Sequence, residues 1–242
     1  MTEELGTIWM RPERPAGTVP GPQRTYSRSQ ITAAAIEIAD SDGLEATSMR
    51  RIAARIKAGV MSLYHYVGNR DDLLELMVDA VAGEMTTAVT PDMDWRERIT
   101  LFAREKRALW LRHPWLATRL AGHPVWGPNS LRHQEFLFSS LDGFGLPMEQ
   151  LVSFTGLVNG YVESFVRTEV GWAEESRRTK VDMQEWIRQS GPHARAIVTS
   201  GEYPMFARML LETDSPHMKP DERFQYGLDL VLDSMQASLT NR

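Results

Sequence analysis

Apolar residues recur at helical spacing along most of the chain, and the tightest such pattern lies between Thr47 and Leu73. Met49, Ile52, Ala53 and Ile56 follow the i, i+3, i+4, i+7 order of a short amphipathic helix, and Ser48 ahead of them carries a hydroxyl suited to capping its N-terminus. After a turn containing Gly59 the pattern resumes at Val60, Leu63, Tyr64 and Val67, again for only about two turns. Helices this short do not hold alone in water, so both need a third face, which Ile31, Ala34, Ala35, Ile38 and Ala39 supply. The pattern predicts a tri-helical unit with a helix-turn-helix at its end.

Further on, a fourth helix is predicted from Arg70, capped by Asn69, through Leu73, Leu74, Met77, Val78 and Val81 to near Met85. Pro91 and Asp94 mark a boundary, after which Trp95, Ile99, Phe102, Ala103, Lys106 and Trp110 trace a helix that breaks at His113-Pro114, because proline disfavours helix in the residue before it. From Pro147 to Trp172 the positions Leu151, Val152, Phe154, Leu157, Val158, Tyr161, Val162, Phe165 and Val166 cover more than half the helix circumference. A final helix over Asp221–Leu239 repeats this with Phe224, Tyr226, Leu228, Leu230, Val231, Leu232 and Met235. Helices apolar on more than one face are buried on more than one, so these two are expected to build a homodimer as a four-helix bundle, with Val158→Asp as the substitution that tests it. Residues 173–220 are charged and proline-interrupted, with short helices expected near Met183–Gln189, His193–Ser200 and Pro204–Glu212.

No segment alternates over a strand's length, so the fold class is all-α: an N-terminal tri-helical helix-turn-helix domain and a larger helical domain that carries the dimerising helices. Residues 1–23 hold Pro12, Pro15, Pro20 and Pro22 without periodicity and read as a disordered arm. The expected division is residues 24–87 for the helix-turn-helix domain with its connecting helix, and 91–242 for the larger domain.

Charge gives the small unit a partner. Ser48 to Arg70 carries Arg50, Arg51, Arg55, Lys57 and Arg70 with no Asp or Glu, a local charge of +5 in a chain of 242 residues whose net charge is −5. A basic face on an acidic protein is the footprint of an element that displaces counterions from duplex DNA. The alternative is an all-α interaction protein or enzyme whose basic helical head binds a protein partner, in which case DNA would not compete.

Chemistry of other kinds finds no constellation. Zero cysteines exclude disulfides and cysteine-held zinc, and the absence of about 18 consecutive apolar residues leaves no membrane span, so a soluble cytoplasmic protein is expected. His113, His123 and His133 stand at intervals of ten, not at a ligand spacing, no Gly-x-Ser-x-Gly is present, and the adjacent pairs Glu174-Glu175 and Asp71-Asp72 diverge around a helix. No enzyme activity, metal or cofactor is expected.

Thr47-Ser48-Met49-Arg50-Arg51-Ile52-Ala53, Leu63-Tyr64-His65-Tyr66-Val67 and Asn69-Arg70-Asp71-Asp72-Leu73-Leu74 resemble the DNA-binding domain of the TetR family of bacterial repressors. Asp94-Trp95-Arg96, Leu111–Leu116 and Gly127-Pro128-Asn129-Ser130-Leu131 are similar to the C-terminal domain of the tetracycline repressor and its actinobacterial relatives. The resemblance implies an operator-binding homodimer with a recognition helix over Val60–Tyr66. It places phosphate contacts at Ser48, Tyr64, Tyr66 and Arg70, and Arg50 and Val60, Met61 and Ser62 near base edges, with Lys57, Gly59 and His65 completing the DNA-binding set. The family's left-handed glycine falls on Lys57 here, so either Lys57 adopts a positive φ or the turn shifts to Gly59. The resemblance further implies a small-molecule effector in the larger domain, which holds Trp95, Trp110, Trp115, Trp126, Trp172 and Trp186, six of the seven tryptophans. The expected pocket is Phe102, Trp110, Trp126, His133, Phe136, Asn159 and Glu163, lined by aromatic walls with three polar groups to orient a largely apolar, ring-containing molecule.

Overall fold

The computed structural model describes residues 7–12, 26–118, 126–212 and 219–240, and no strand occurs among them. Helix α1 (Arg28–Asp42) begins in a capping box in which Ser27 and Gln30 exchange side-chain and backbone hydrogen bonds, and it stops at Gly43, whose φ of 84° suits glycine. Helix α2 (Met49–Ile56) is capped by Ser48, whose Oγ accepts from Arg51 N. Helix α3 (Val60–Leu63) is shorter than the periodicity predicts: Tyr64 to Tyr66 continue it as a turn, with Tyr64 still at φ −64° and ψ −16°. Helix α4 (Arg70–Ala82) is capped by Asn69, with Asp71 and Asp72 in its first turn where acidic groups favour the helix dipole.

Helix α5 (Trp95–Arg112) opens in a second capping box, Asp94 with Glu97, and ends at His113, which Pro114 holds out of helical geometry. There follow α6 (Trp115–Thr118), α7 (Pro128–Ser140), α8 (Met148–Thr179), α9 (Met183–Ser200), α10 (Pro204–Glu212) and α11 (Pro220–Thr240). Two separate short helices were expected where α9 runs unbroken. Pro192 sits inside it, although an interior proline costs about 3 kcal/mol, so the break expected at Gly191-Pro192 does not end the helix.

The chain forms two compact units, Met1–Val162 and Glu163–Arg242. One apolar cluster joins Ile31, Ile38, Ile52, Leu63, Val67, Leu73, Met77 and Val81 of the small helices to Leu109, Trp115 and Leu116 of α5 and α6. Polar contacts reinforce it: buried His113 places Nδ1 2.8 Å from Asp40 on α1 and Nε2 3.1 Å from Glu84 just beyond α4, while Trp115 Nε1 donates to the same Asp40 at 2.8 Å. In the second unit α11 buries Phe224, Leu228, Leu232 and Met235, Phe224 meets Phe165 edge-on at 5.2 Å, and α9 and α10 pack on each other.

The expected disordered arm is corrected over residues 7–12; residues 1–6 and 13–25, and His123, lie outside the described residues. Ile8–Met10 form a 3-10 turn with Ile8 buried, Trp9 Nε1 donates to Glu75 at 2.9 Å, and Arg11 makes two bonds to Asp72 at 2.7 and 2.8 Å. Composition signals disorder through proline and glycine, but the apolar pair Ile8-Trp9 and the cation Arg11 between them find complementary surface on α4. Val158 is completely buried within its own chain, so it is not the residue with which to test assembly; α8 instead exposes Val152 and Leu157, and α11 exposes Tyr226 and Leu230. No helix among the described residues is long and apolar enough to cross a membrane, and no group of three metal-ligating side chains occurs among them.

Candidate nucleic-acid interface

The turn between α2 and α3 is set by Lys57, which has φ 57° and ψ 44°. Ala58 N donates to Ala53 O at 2.8 Å and Lys57 N to Ala54 O at 3.3 Å, the paired bonds of a Schellman closure. Tyr26 Oη then donates to the Lys57 carbonyl at 3.0 Å and pins the turn from the start of α1. Of the two geometries open to the sequence, the one on Lys57 is realised; Gly59 is extended, at φ −78° and ψ 136°, and serves as N-cap of α3.

The tight turn lifts α3 so that one face packs and the other is bare. Leu63 and Val67 are fully buried, Val60 and Tyr66 give part of their surface to the same core, and Met61, Ser62, Tyr64 and His65 are exposed, Met61 by 75%. Arg28 Nε donates to the Tyr66 carbonyl at 3.0 Å, holding the end of the turn. Val60 and Tyr66, expected at the DNA, are therefore half committed to packing.

The +5 charge of the segment is largely balanced in space by residues outside it. Arg51 pairs with Asp42, Arg55 with Glu37 at 2.7 Å, and Arg70 with Glu45 at 3.7 Å. Only Arg50 and Lys57, of the five cations, make no ion pair among the described residues, and both are exposed, Arg50 in the first turn of α2 and Lys57 in the turn before α3. Sequence counting missed this, since the acids come from α1 and its following turn. Glu45 is 96% exposed at its side chain, so its pair with Arg70 at 3.7 Å is a loose one.

In the first unit the structure also gathers part of the expected pocket. Phe102 is the centre: His133 meets it edge-on at 6.0 Å and Phe136 stacks at 6.3 Å. Lys106 Nζ donates to Asn159 Oδ1 at 2.6 Å and lies 5.4 Å from the centre of the Trp110 ring. Lys106 was not among the expected pocket residues, though its spacing of four from both Phe102 and Trp110 puts all three on one helix face. Burial pushes the His133 imidazole below its ordinary range, Lys106 and Arg132 push it further, and Asp79 opposes them, so the ring is held neutral. Trp126 is 66% exposed ahead of α7 and has no described contact with this cluster, and Glu163 opens the second unit. Trp115, one of the six tryptophans, is core.

Residues 31–77 match the family described as bacterial regulatory proteins, tetR family, and residues 88–239 match the tetracyclin repressor-like C-terminal domain. The chain belongs to the TetR family. It is similar to the HTH-type transcriptional repressor DrrR1 of Streptomyces coeruleorubidus, 34% identical over 239 residues that span 98% of this chain and 86% of the relative. Among solved structures it is similar to the TetR family protein ActR of Streptomyces coelicolor in complex with (S)-DNPA, with TM-score 0.73, 28% identity and coverage of 89% and 100% of the two chains. A second ActR structure, in complex with actinorhodin, gives TM-score 0.71, 27% identity and coverage of 89% and 98%. This TetR family chain is a helix-turn-helix transcriptional regulator, and the small α1–α3 unit is its DNA-binding head.

Proposed function

We propose that the protein is a homodimeric repressor that inserts α3 into the major groove of a near-palindromic operator and is released by a ring-containing effector. The observation that carries this is the bare face of α3 and its following turn, Met61, Ser62, Tyr64 and His65, in a helix-turn-helix whose exposed Arg50 and Lys57 carry no acidic partner among the described residues. Ser48, Tyr64, Tyr66 and Arg70 hold phosphates, Lys57 and Gly59 bring the turn to the backbone, and Arg50 with Val60, Met61 and Ser62 lies near base edges. Exposed Val152 and Leu157 on α8, with Tyr226 and Leu230 on α11, provide apolar surface for the second protomer.

The effector site centres on Phe102, Trp110, His133, Phe136 and Asn159, with Lys106 added. Three aromatic walls around a neutral imidazole and an amide favour a flat aromatic molecule bearing hydrogen-bonding oxygens. The ActR relative solved with actinorhodin supports that class. A gel-shift titration on duplex DNA from upstream of the protein's own coding sequence tests the DNA reading. With about six phosphates neutralised, affinity falls by roughly a thousandfold between 50 and 200 mM salt; binding insensitive to salt, or none, refutes it. Adding actinorhodin and related aromatic polyketides to the preformed complex tests the effector class, release being the expected result.

A further inference from the structure

The joint between α4 and α7 carries a polar contact that the functions above leave unused. Asp79, on α4, is 3% exposed. Its carboxylate accepts from Asn129 N at 3.0 Å, Ser130 N at 2.8 Å and Asn129 Nδ2 at 3.1 Å, and Asn129 Nδ2 donates as well to the Asp79 carbonyl at 3.0 Å. The first amides of a helix have no partner within it, so α4 supplies the N-terminal cap that α7 cannot supply for itself. Gly127 is needed here for space rather than for backbone freedom: a Cβ on it would stand 2.3 Å from the Asp79 carboxyl carbon and 2.6 Å from the Trp9 ring. Trp9 thus closes another side of the contact, tied to α4 through Glu75, one turn before Asp79.

The two helices joined here have different duties. α4 follows α3 directly and shares the head's core, whereas α7 carries His133 and Phe136, which pack on Phe102, within the next two turns after Asn129. We infer that Asp79 is a positioning residue for DNA recognition: by capping α7 it fixes the tilt of α4, and with it the placement of the recognition helix, with Gly127 and Trp9 as its supports. The inference rests on the DNA-binding reading above.

The chain contains no cysteine, so Ala33→Cys on α1 and Glu135→Cys on α7, both exposed, give two clean nitroxide sites. Labelled chains diluted into unlabelled ones report by double electron–electron resonance only the distance within one chain, whatever the oligomeric state. Asp79→Ala and Gly127→Ala are each expected to broaden or shift that distance and to lower operator affinity at least tenfold, with an unchanged salt dependence because no phosphate contact is lost. Asp79→Asn, which keeps one acceptor oxygen, falls between them and the parent. Should Asp79→Ala fail to fold, Asn129→Ala removes the side-chain bonds while leaving both backbone bonds, and the same distance decides. A parental distance distribution in these variants overturns the inference even if their melting temperature drops, since a purely structural role predicts that result. A parent that binds no DNA while the variants still shift the distance refutes the DNA-binding reading and not the positioning of α4.

Discussion

Replacing Lys57 by glycine separates what this residue does for the fold from what it does for DNA. A non-glycine residue in the left-handed region carries about 1–2 kcal/mol of steric cost, and Lys57 sits there with φ 57°. Glycine removes that cost but enlarges the freedom of the unfolded chain, which takes back about 0.4–1 kcal/mol. The net gain is about 0.5–1 kcal/mol, or a rise in melting temperature of roughly 1–4 °C for a chain of this size. The Tyr26 bond to the Lys57 carbonyl is a backbone contact on the acceptor side and survives the change. Meanwhile the cation is lost, and the slope of log affinity against log salt falls by about 0.9 for each phosphate contact removed. Lys57→Ala is the control, since alanine keeps the left-handed cost and loses the charge: its DNA binding matches that of Lys57→Gly and its stability does not rise. Calorimetry and fluorescence polarisation at several salt concentrations read both quantities. If Lys57→Gly melts below the parent, or if the glycine and alanine variants melt together, the strain assigned to this turn is wrong.

Arg50→Ala is expected to weaken operator binding and to flatten the preference for operator over scrambled duplex, whereas Tyr64→Ala weakens both duplexes alike; competition titrations that show no change for Arg50→Ala remove it from the base edges. Leu157→Asp and Tyr226→Asp, on exposed apolar surface, should give folded monomers in sedimentation, while Val158→Asp, with its side chain fully enclosed, should lose its helical circular dichroism instead. His133 is held below its ordinary value, so it contributes nothing above about pH 6.5 and stability is lost as pH falls through that value, where the unfolded chain takes up the proton more readily. The melting temperature of His133→Gln should therefore decline less between pH 7.5 and 5.5 than that of the parent, and an identical decline would contradict the burial assigned to the ring.

The head was legible because its physics is local. Ser48 and Asn69 cap the helices they precede, and Ile31, Ile38, Ile52, Leu63 and Val67, set by periodicity alone, fill one core. Even the unusual turn could be posed as a choice between two residues. What the sequence hid is non-local. The neutralisation of Arg51 and Arg55 depends on α1 lying alongside α2, and no spacing rule links Glu37 to Arg55. Of the expected aromatic residues, Phe102 and Phe136 come together with His133, whereas Trp126 stands in solvent, because size alone does not say which face of the fold a tryptophan meets. Faces of α8 and α11 were equivalent by periodicity, and only packing distinguished buried Val158 from exposed Leu157. Helix α7 carries no strong apolar period, and the capping signal at its start comes from a residue fifty positions earlier.

The shared core of Leu109, Trp115 and Leu116 with the small helices, and the bridge of His113 from Asp40 to Glu84, bear on how such regulators are rewired. A chimera that joins the first seventy residues to a foreign sensor would keep Asp40 without His113 and Trp115, leaving its carboxylate without the imidazole and the indole N–H that it meets here. Hybrid repressors built from this chain therefore need their seam placed by matching Asp40, Glu84 and the two residues they serve, rather than at the apparent linker before Pro91.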